Sequence, residues 1–438
     1  MSRFNAQNIA KSPYNGPIVQ PSIIKNIELS YIVGAPIVIS KIGTIYASCL
    51  NDTLYALDND LNILWKRNVD TQIGGWGISY PAIGPSGNVY IFDYNGNRLL
   101  SLDPDNGNLI WQSENLGDYS RGIPVIDANE TIYIFAGGVC AVSQSGTKIW
   151  NRFLANLTHQ VALSPDENRV YVSTSPQLAA IDSQTGNDIW YKNFSSHTMC
   201  PKRPAVSSNG TIYAAGQDSL FAIAPDNTIL WRAYAGSSGR PGWTAIDELL
   251  NQVYVASAND TMYAFTFYGT NLWKTKSEHF YHSDGAPIIG NNGIIYLLCK
   301  DDNTEHKLQA FSPSSGAILW SITGSIEEGG TGSIPTSQPV ISADENIYIG
   351  NARGIYVVGD GAAEFEELPS DKIPFQISLQ QNYPNPFNPV TTISFDLPEY
   401  SKVNLSIYNL LGQKVATLID EKMKAGNHEI TWNAENFA

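Results

Sequence analysis

Residues 81–113 read PAIGPSGNVYIFDYNGNRLLSLDPDNGNLIWQS. Four short runs in this stretch alternate apolar and polar residues: PAIGP (81–85), NVYIFD (88–93), RLLSLD (98–103) and NLIWQS (108–113), with Gly, Asn, Asp and Pro between them. Period-two alternation bounded by turn formers is the pattern of strands joined by tight turns. The stretch therefore predicts one small antiparallel sheet with strands A, B, C and D in chain order.

The unit recurs. An aliphatic–Tyr pair in strand B appears at Tyr46, Tyr90, Tyr133, Tyr171, Tyr213, Tyr254, Tyr296 and Tyr348, eight copies in all. Downstream of seven of them a Trp closes strand D, at Trp65, Trp111, Trp150, Trp190, Trp231, Trp273 and Trp320. A sheet of four short strands cannot bury both of its faces alone, so a period of roughly forty residues predicts sheets stacked around an axis. The fold class expected is all-β, with an eight-bladed β-propeller as the main domain.

The eighth unit ends at RGIYVVGD (353–360) with no Trp strand after it, whereas KNIELSYIVG (25–34) precedes the first A strand and belongs to no unit. Pairing of these two segments is the expected closure, because it removes exposed strand edges. Asp58, Asp103 and Asp182 begin C-to-D turns, where a short carboxylate accepts backbone N–H groups, and Gly107, Gly146, Gly186 and Gly316 supply positive φ. The string DPDNGN at 103–108 has the acidic spacing of a calcium loop but lacks the distant bidentate Glu, and reads as turn chemistry. The Trp side chains read as apolar plugs between blades.

In such sheets the A-to-B and C-to-D turns lie at one end, and the D-to-A and B-to-C connections at the other. The A-to-B turns are generic polar strings such as GPSGN (84–88) and SSNGT (207–211). The D-to-A loops are longer and concentrate unusual side chains: Trp76, Tyr119, Arg121, His159, His197, Arg203, Arg240, Trp243 and His282, with Lys202, His279 and Tyr281 beside them. A rigid ring presenting aromatic and cationic groups suits a polar or anionic ligand, a protein or peptide segment, or a glycan; ordinary loop variability would give the same set. Asp284 beside His282 is the only local pair suggestive of acid–base work. A helical zinc motif, a phosphate-cradling glycine loop and a nucleophile elbow are all absent from the sequence. Binding rather than catalysis is the expected role.

Composition narrows the partners. The formal net charge is -15, and no Lys/Arg cluster offers a phosphate-tracking surface, so nucleic acid is not an expected partner. Cys49, Cys140, Cys200 and Cys299 lack C-x-x-C spacing and read as buried or idle thiols. No run approaches the roughly 18 apolar residues of a membrane helix, so no membrane span is expected. The opening residues MSRFNAQNIAKSPYNGP lack the charged-then-apolar pattern of a secretory signal.

YALDNDLNILW (55–65) and AIDSQTGNDIW (180–190) resemble the pyrroloquinoline-quinone-type propeller repeat, in which A-x-D-x-x-T-G-x-x-x-W recurs blade by blade. The resemblance covers about residues 12–360. It implies a propeller, and it raises as an alternative a quinone-dependent dehydrogenase holding pyrroloquinoline quinone with calcium, or a polysaccharide-acting enzyme on the D-to-A face. The same repeat also builds proteins with no quinone. Alcohol-dehydrogenase members carry an adjacent-cysteine ring, and no Cys-Cys pair occurs here, so no cofactor and no bound metal are expected.

After Gly361 the period stops, and AAEFEELPSDKIPFQISLQ (362–380) reads as a linker. Alternating runs near 391–397, 402–409, 413–419 and 427–432 then predict a small β-sandwich. YPNPFNP (383–389), FDLP (395–398), IYNLLGQ (407–413), Ala425-Gly426 and Trp432 closely resemble the C-terminal sorting domain of the type IX secretion system. That resemblance implies an immunoglobulin-like module, contact with the type IX machinery, and export to the surface or medium of a Gram-negative, Bacteroidetes-like bacterium. In the family a further strand follows the W-x-A segment, so the sandwich here reads as incomplete. The expected domains are a lead-in (1–24), the propeller (25–361), a linker (362–380) and the sorting-like sandwich (381–438).

Overall fold

The computed structural model describes residues 7, 9–29, 36–49, 51–69, 79–117, 123–154, 157–174, 177–194, 202–216, 218–236, 241–257, 259–277, 279–280, 287–300, 306–323, 338–350, 354–360, 377–386, 389–397, 401–409, 412–423 and 426–435. The chain divides into two compact units, Met1–Gly361 and Ala362–Ala438. All regular structure among the described residues is β-strand.

The first unit holds eight antiparallel sheets among the described residues, and the first seven run A, B, C, D in chain order. Their A strands are Val38–Ile39, Ala82–Ile83, Val125–Ile126, Leu157–Leu163, Lys202–Val206, Pro241–Asp247 and, split in two, His279–Phe280 with Ile288–Ile289. Successive A strands approach one another from the second sheet to the seventh. The register explains why Tyr and Trp recur. Tyr46, Ala56 and Trp65 are cross-strand partners in one row over strands B, C and D. Tyr133–Ala141–Trp150 and Tyr254–Ala264–Trp273 repeat the row, as do the corresponding residues of the other sheets. Opposed residues share a face, and the small middle residue lets the two rings meet at centroid distances of 5.7–6.0 Å.

Five of these indoles, on Trp65, Trp150, Trp190, Trp231 and Trp273, then donate into the next sheet. The Nε1–H of Trp65 donates to Pro104 O, that of Trp150 to Ser183 O and that of Trp273 to Pro313 O, each at 2.8 Å and each in a C-to-D turn. Beneath the ring of Trp150 sits Gly186, at φ 71, where a Cβ would come within 2.7 Å of the indole. The aspartates of these turns cap them as the sequence predicts: Asp58 Oδ1 accepts the N–H groups of Asp60 and Asn62, and Asp182 Oδ1 those of Gln184 and Thr185. Asp103 likewise accepts from Asp105 N, so the 103–108 string is a turn held by its own side chains.

The eighth sheet takes its fourth strand from the other end of the chain. Ser22–Glu28 pairs antiparallel with Gly354–Gly359, beyond Ile347–Gly350 and Val340–Ile341. The paired segment begins three residues before the expected 25–34, and residues 30–35 lie outside the described set. The register gives the reason. The row Tyr348–Val357 continues to Lys25, which holds the place of the Trp, and the register shift between Ile23 and Lys25 matches the shift beside each Trp in the other D strands. Lys25 Nζ reaches the first sheet's C-to-D turn, donating to Asn59 O at 3.1 Å and pairing with Asp60 at 2.6 Å. Among the described residues no indole covers that turn, and its left-handed position is filled by Leu61 (φ 65).

Ahead of this strand, residues read as a lead-in run along three A strands, with Ala10 turned into the left-handed region at φ 59. Val206 N–H donates to Gln7 O, Ile246 N–H to Ile9 O and Ile289 N–H to Ala10 O, at 2.9, 2.9 and 3.0 Å. Lys11 pairs with the buried Asp247 at 2.6 Å. Pro17 O accepts from both Tyr296 Oη and Trp320 Nε1, the role that Pro104 O has toward Tyr46 and Trp65.

In the second unit Ser378–Leu379, Val390–Leu397 and Gly426–Asn433 form one sheet, and Ser401–Tyr408 with Lys414–Met423 another. Phe395, Leu397 and Ile419, with Val403, Leu405 and Ile430, pack between them as a small core. Ser378 and Leu379, expected in the linker, pair with Asp396 and Phe395, because ISL continues the strand alternation to the sheet edge.

Candidate functional site

Of the nine side chains singled out in the D-to-A loops, Trp76, Tyr119, Arg121, His197, Arg240 and His282 lie outside the described residues. His159, Arg203 and Trp243 fall within A strands rather than loops. Each sits where the pairing slips: between Leu157 and Val161, between Lys202 and Ala205, and between Pro241 and Thr244. A bulge breaks the alternation that reveals a strand, which is why these stretches read as loops. Among the described residues no three His, Cys, Asp or Glu side chains come together as a metal-binding group.

A cavity of about 530 Å³ opens at the end of the sheets that carries the A-to-B and C-to-D turns, opposite the D-to-A loops. Its apolar walls are Val38 and Ile39, Ala82 and Ile83, and Val125 and Ile126, from the A strands of the first three sheets. Lys41 and Ile42 stand at its rim, and Asp105, Asp127 and Glu167 contribute carboxylates. Asp127 is buried. Its Oδ1 accepts the N–H groups of Asn129 at 3.0 Å and Thr131 at 2.7 Å, and its Oδ2 accepts from Tyr133 Oη at 3.2 Å. Burial, and then the charge of Asp127, push the Tyr133 hydroxyl above its ordinary range.

The turns around the cavity are tied to one another by glutamates in an unusual place. Gly43, Gly87 and Gly210 hold the left-handed position of their A-to-B turns, but Glu130 (φ 64) and Glu167 (φ 57) hold it in the third and fourth sheets. A non-glycine residue there costs on the order of 1 kcal/mol or more. Hydrogen bonds to the preceding sheet offset it. Glu130 Oε1 accepts from Ser86 Oγ and from Tyr90 Oη (2.9 Å), and Glu167 Oε2 accepts the Ala128 N–H at 3.0 Å; within its own sheet Glu130 Oε2 accepts from Gln144 Nε2 (2.7 Å). Burial first, and the Glu130 carboxylate second, push the Tyr90 hydroxyl up to about 12.

The backbone edge matters as much as the side chains. Gly84 N–H donates to Asn88 O and Asp127 N–H to Thr131 O, each within its own hairpin. Successive residues of an antiparallel strand alternate in direction, so Ile83 and Ile126 turn their N–H and C=O groups away from the hairpin. Val206, Ile246 and Ile289 have the same setting, and the N-terminal segment takes their N–H groups. Sequence reading passed over this site, because the turn strings are locally ordinary and only the approach of three sheets makes the cavity.

The family model described as outer membrane protein assembly factor BamB matches residues 30–192, 135–241 and 222–363. A second model, the secretion system C-terminal sorting domain, matches residues 381–438. No curated protein matches the chain. Among solved structures, BamB from Moraxella catarrhalis is similar at a TM-score of 0.58 and 15% identity, over 79% of this chain and 99% of that one. The computationally designed Ika8 protein is similar at 0.60 and 12%, over 77% and 99%. A europium-containing methanol dehydrogenase is similar at 0.61 and 12%, over 82% and 97%. At such identities the likeness is one of fold, that of a β-propeller.

Proposed function

The chain belongs to the propeller-repeat family described as outer membrane protein assembly factor BamB, and from that premise we propose that it is a secreted binding module without catalytic activity. The observation that carries this reading is the sorting domain at 381–438 joined to the repeats. A domain of that kind directs its cargo to the type IX machinery and so to the cell surface or the medium. The ring is an eight-bladed propeller closed by the N-terminal strand, a reading supported by the Ser22–Glu28 pairing and by Lys25 in the place of the missing Trp. The D-to-A end, with Trp76, Tyr119, Arg121, His159, His197, Arg203, Arg240, Trp243 and His282, and the cavity at the opposite end are its two candidate binding faces for protein, peptide or glycan. Cys49, Cys140 and Cys299 are buried in three different sheets, which does not suit an adjacent-cysteine ring over a quinone, and no cofactor is assigned.

The test is localisation of the full chain, placed behind a periplasmic leader, in a host with the type IX system and in one without it. Surface or medium localisation only in the first is expected, and periplasmic retention in both overturns the export reading. Dye-linked alcohol oxidation after loading with pyrroloquinoline quinone and calcium would overturn the non-catalytic one.

A further inference from the structure

The chain's own N-terminal segment shows what the A-strand edges accept. Ile246 lies next to the end of its A strand, donates its N–H to Ile9 O, and is followed by the strand's last residue, Asp247, whose buried carboxylate pairs with Lys11, two residues after Ile9. Ile126 is the last residue of its A strand and is followed by Asp127, which is only 6% exposed. Ile83, one sheet earlier, presents the same edge, and all three of these residues line the cavity. Three acidic residues, Asp105, Asp127 and Glu167, and one cationic residue, Lys41, share a lining that is otherwise mostly apolar. The cavity thus repeats the features that hold the segment on the sixth sheet: an outward-turned backbone edge, aliphatic walls and a buried Asp at the following position.

We infer that the cavity binds a peptide segment of a partner protein in the backbone path of residues 9–11, one carrying an aliphatic residue followed two positions later by Lys or Arg. The peptide lies edge-on along Ile83 and Ile126, with its cation at Asp127. This deepens the binding-module reading by naming a partner class for the turn end of the ring. It rests on that reading, and its test involves no export, so the two can fail separately.

The probe is a labelled heptapeptide Gln-Asn-Ile-Ala-Lys-Ser-Pro, a copy of residues 7–13, titrated into the full chain by fluorescence anisotropy beside a Lys-to-Glu version. Saturable binding is expected, with about tenfold preference for the Lys peptide. Asp127→Asn should erase most of that preference. Because Asp127 also caps its own turn, Lys41→Glu at the exposed rim provides a second variant that leaves the fold alone, and it should tighten the Lys peptide severalfold. A benzophenone-bearing peptide should cross-link within 38–42, 82–87 or 124–128. Absence of saturable binding, or equal affinity for both peptides, overturns the proposal. So do cross-links confined to 202–206, 241–247 or 288–291, which mean displacement of the N-terminal segment, and so does concentration-dependent self-association that excludes the peptide, which means the occupant is a second copy of the chain.

Discussion

At the scale of the residue, the contact between an indole and a glycine turn joins one sheet to the next. Gly186 needs the absence of a Cβ for two reasons, its positive φ and the ring of Trp150 lying 2.7 Å from where that atom would stand. Gly87, at φ 94, needs it for the first reason alone, since nothing lies within 4 Å of its notional Cβ. The pair separates backbone strain from packing. Gly87→Ala is expected to cost about 1 kcal/mol, and Gly186→Ala about 2–4 kcal/mol because overpacking adds to the strain. Urea unfolding of the two variants measures the difference, and equal losses would remove the stacked indole as the reason for glycine. Asn227, at φ 80 beside Trp190, shows that a side chain fits where it can leave the ring sideways to donate to Tyr191 O.

At the scale of the element, the eighth sheet solves the same stacking problem with different residues. Ser22–Glu28 carries Lys25 where the other fourth strands carry Trp, and the facing turn carries Leu61 where most others carry Gly. The Lys25–Asp60 pair is largely exposed, so Lys25→Ala should cost no more than about 1 kcal/mol. The two positions are expected to be coupled. Lys25→Trp alone should destabilise by driving an indole onto Leu61, and Leu61→Gly in the same chain should recover part of the loss. A double-mutant cycle by thermal or urea unfolding is expected to give a coupling of about 1 kcal/mol or more, and strict additivity would mean that this strand does not seat on the first sheet as the others seat on theirs.

At the scale of the whole molecule, the eight repeated tyrosines act together. Burial, the leading cause in every case, raises the hydroxyls of Tyr46, Tyr90, Tyr133, Tyr171, Tyr213, Tyr254, Tyr296 and Tyr348, with Tyr46 and Tyr90 at about 12. A group whose pKa is higher in the folded state contributes stability that is complete below its unfolded value and is lost as pH rises toward its folded value. Above about pH 10 the unfolded chain therefore sheds protons that the fold retains, and each of Tyr46 and Tyr90 alone removes roughly 2 kcal/mol by pH 12. Stability should hold up to about pH 10 and then fall steeply, in one cooperative step that releases several protons. Circular dichroism and tyrosinate absorbance followed together against pH check it. Exposed tyrosines such as Tyr268 and Tyr383 ionise first, and ionisation of the eight repeated tyrosines at pH 10 with the sheets intact would contradict the burial.

The sequence by itself determined the strand–turn unit, its repetition, and the Tyr and Trp residues that hold each unit to the next, because alternation and turn chemistry are local and the Tyr and Trp recur in chain order in seven units. It also marked the change of domain after Gly361 and pointed to the N-terminus as the source of the last strand. It placed that strand three residues late, since only the row through Tyr348 and Val357 sets Lys25 in register. Tertiary structure alone decided where residues 7 and 9–18 lie, because the contacts with Val206, Ile246 and Ile289 are backbone hydrogen bonds that leave no pattern in side-chain types. The cavity is of the same kind. Ile83, Ile126 and Asp127 are ordinary in their own hairpins and become a site only where three sheets bring their edges together.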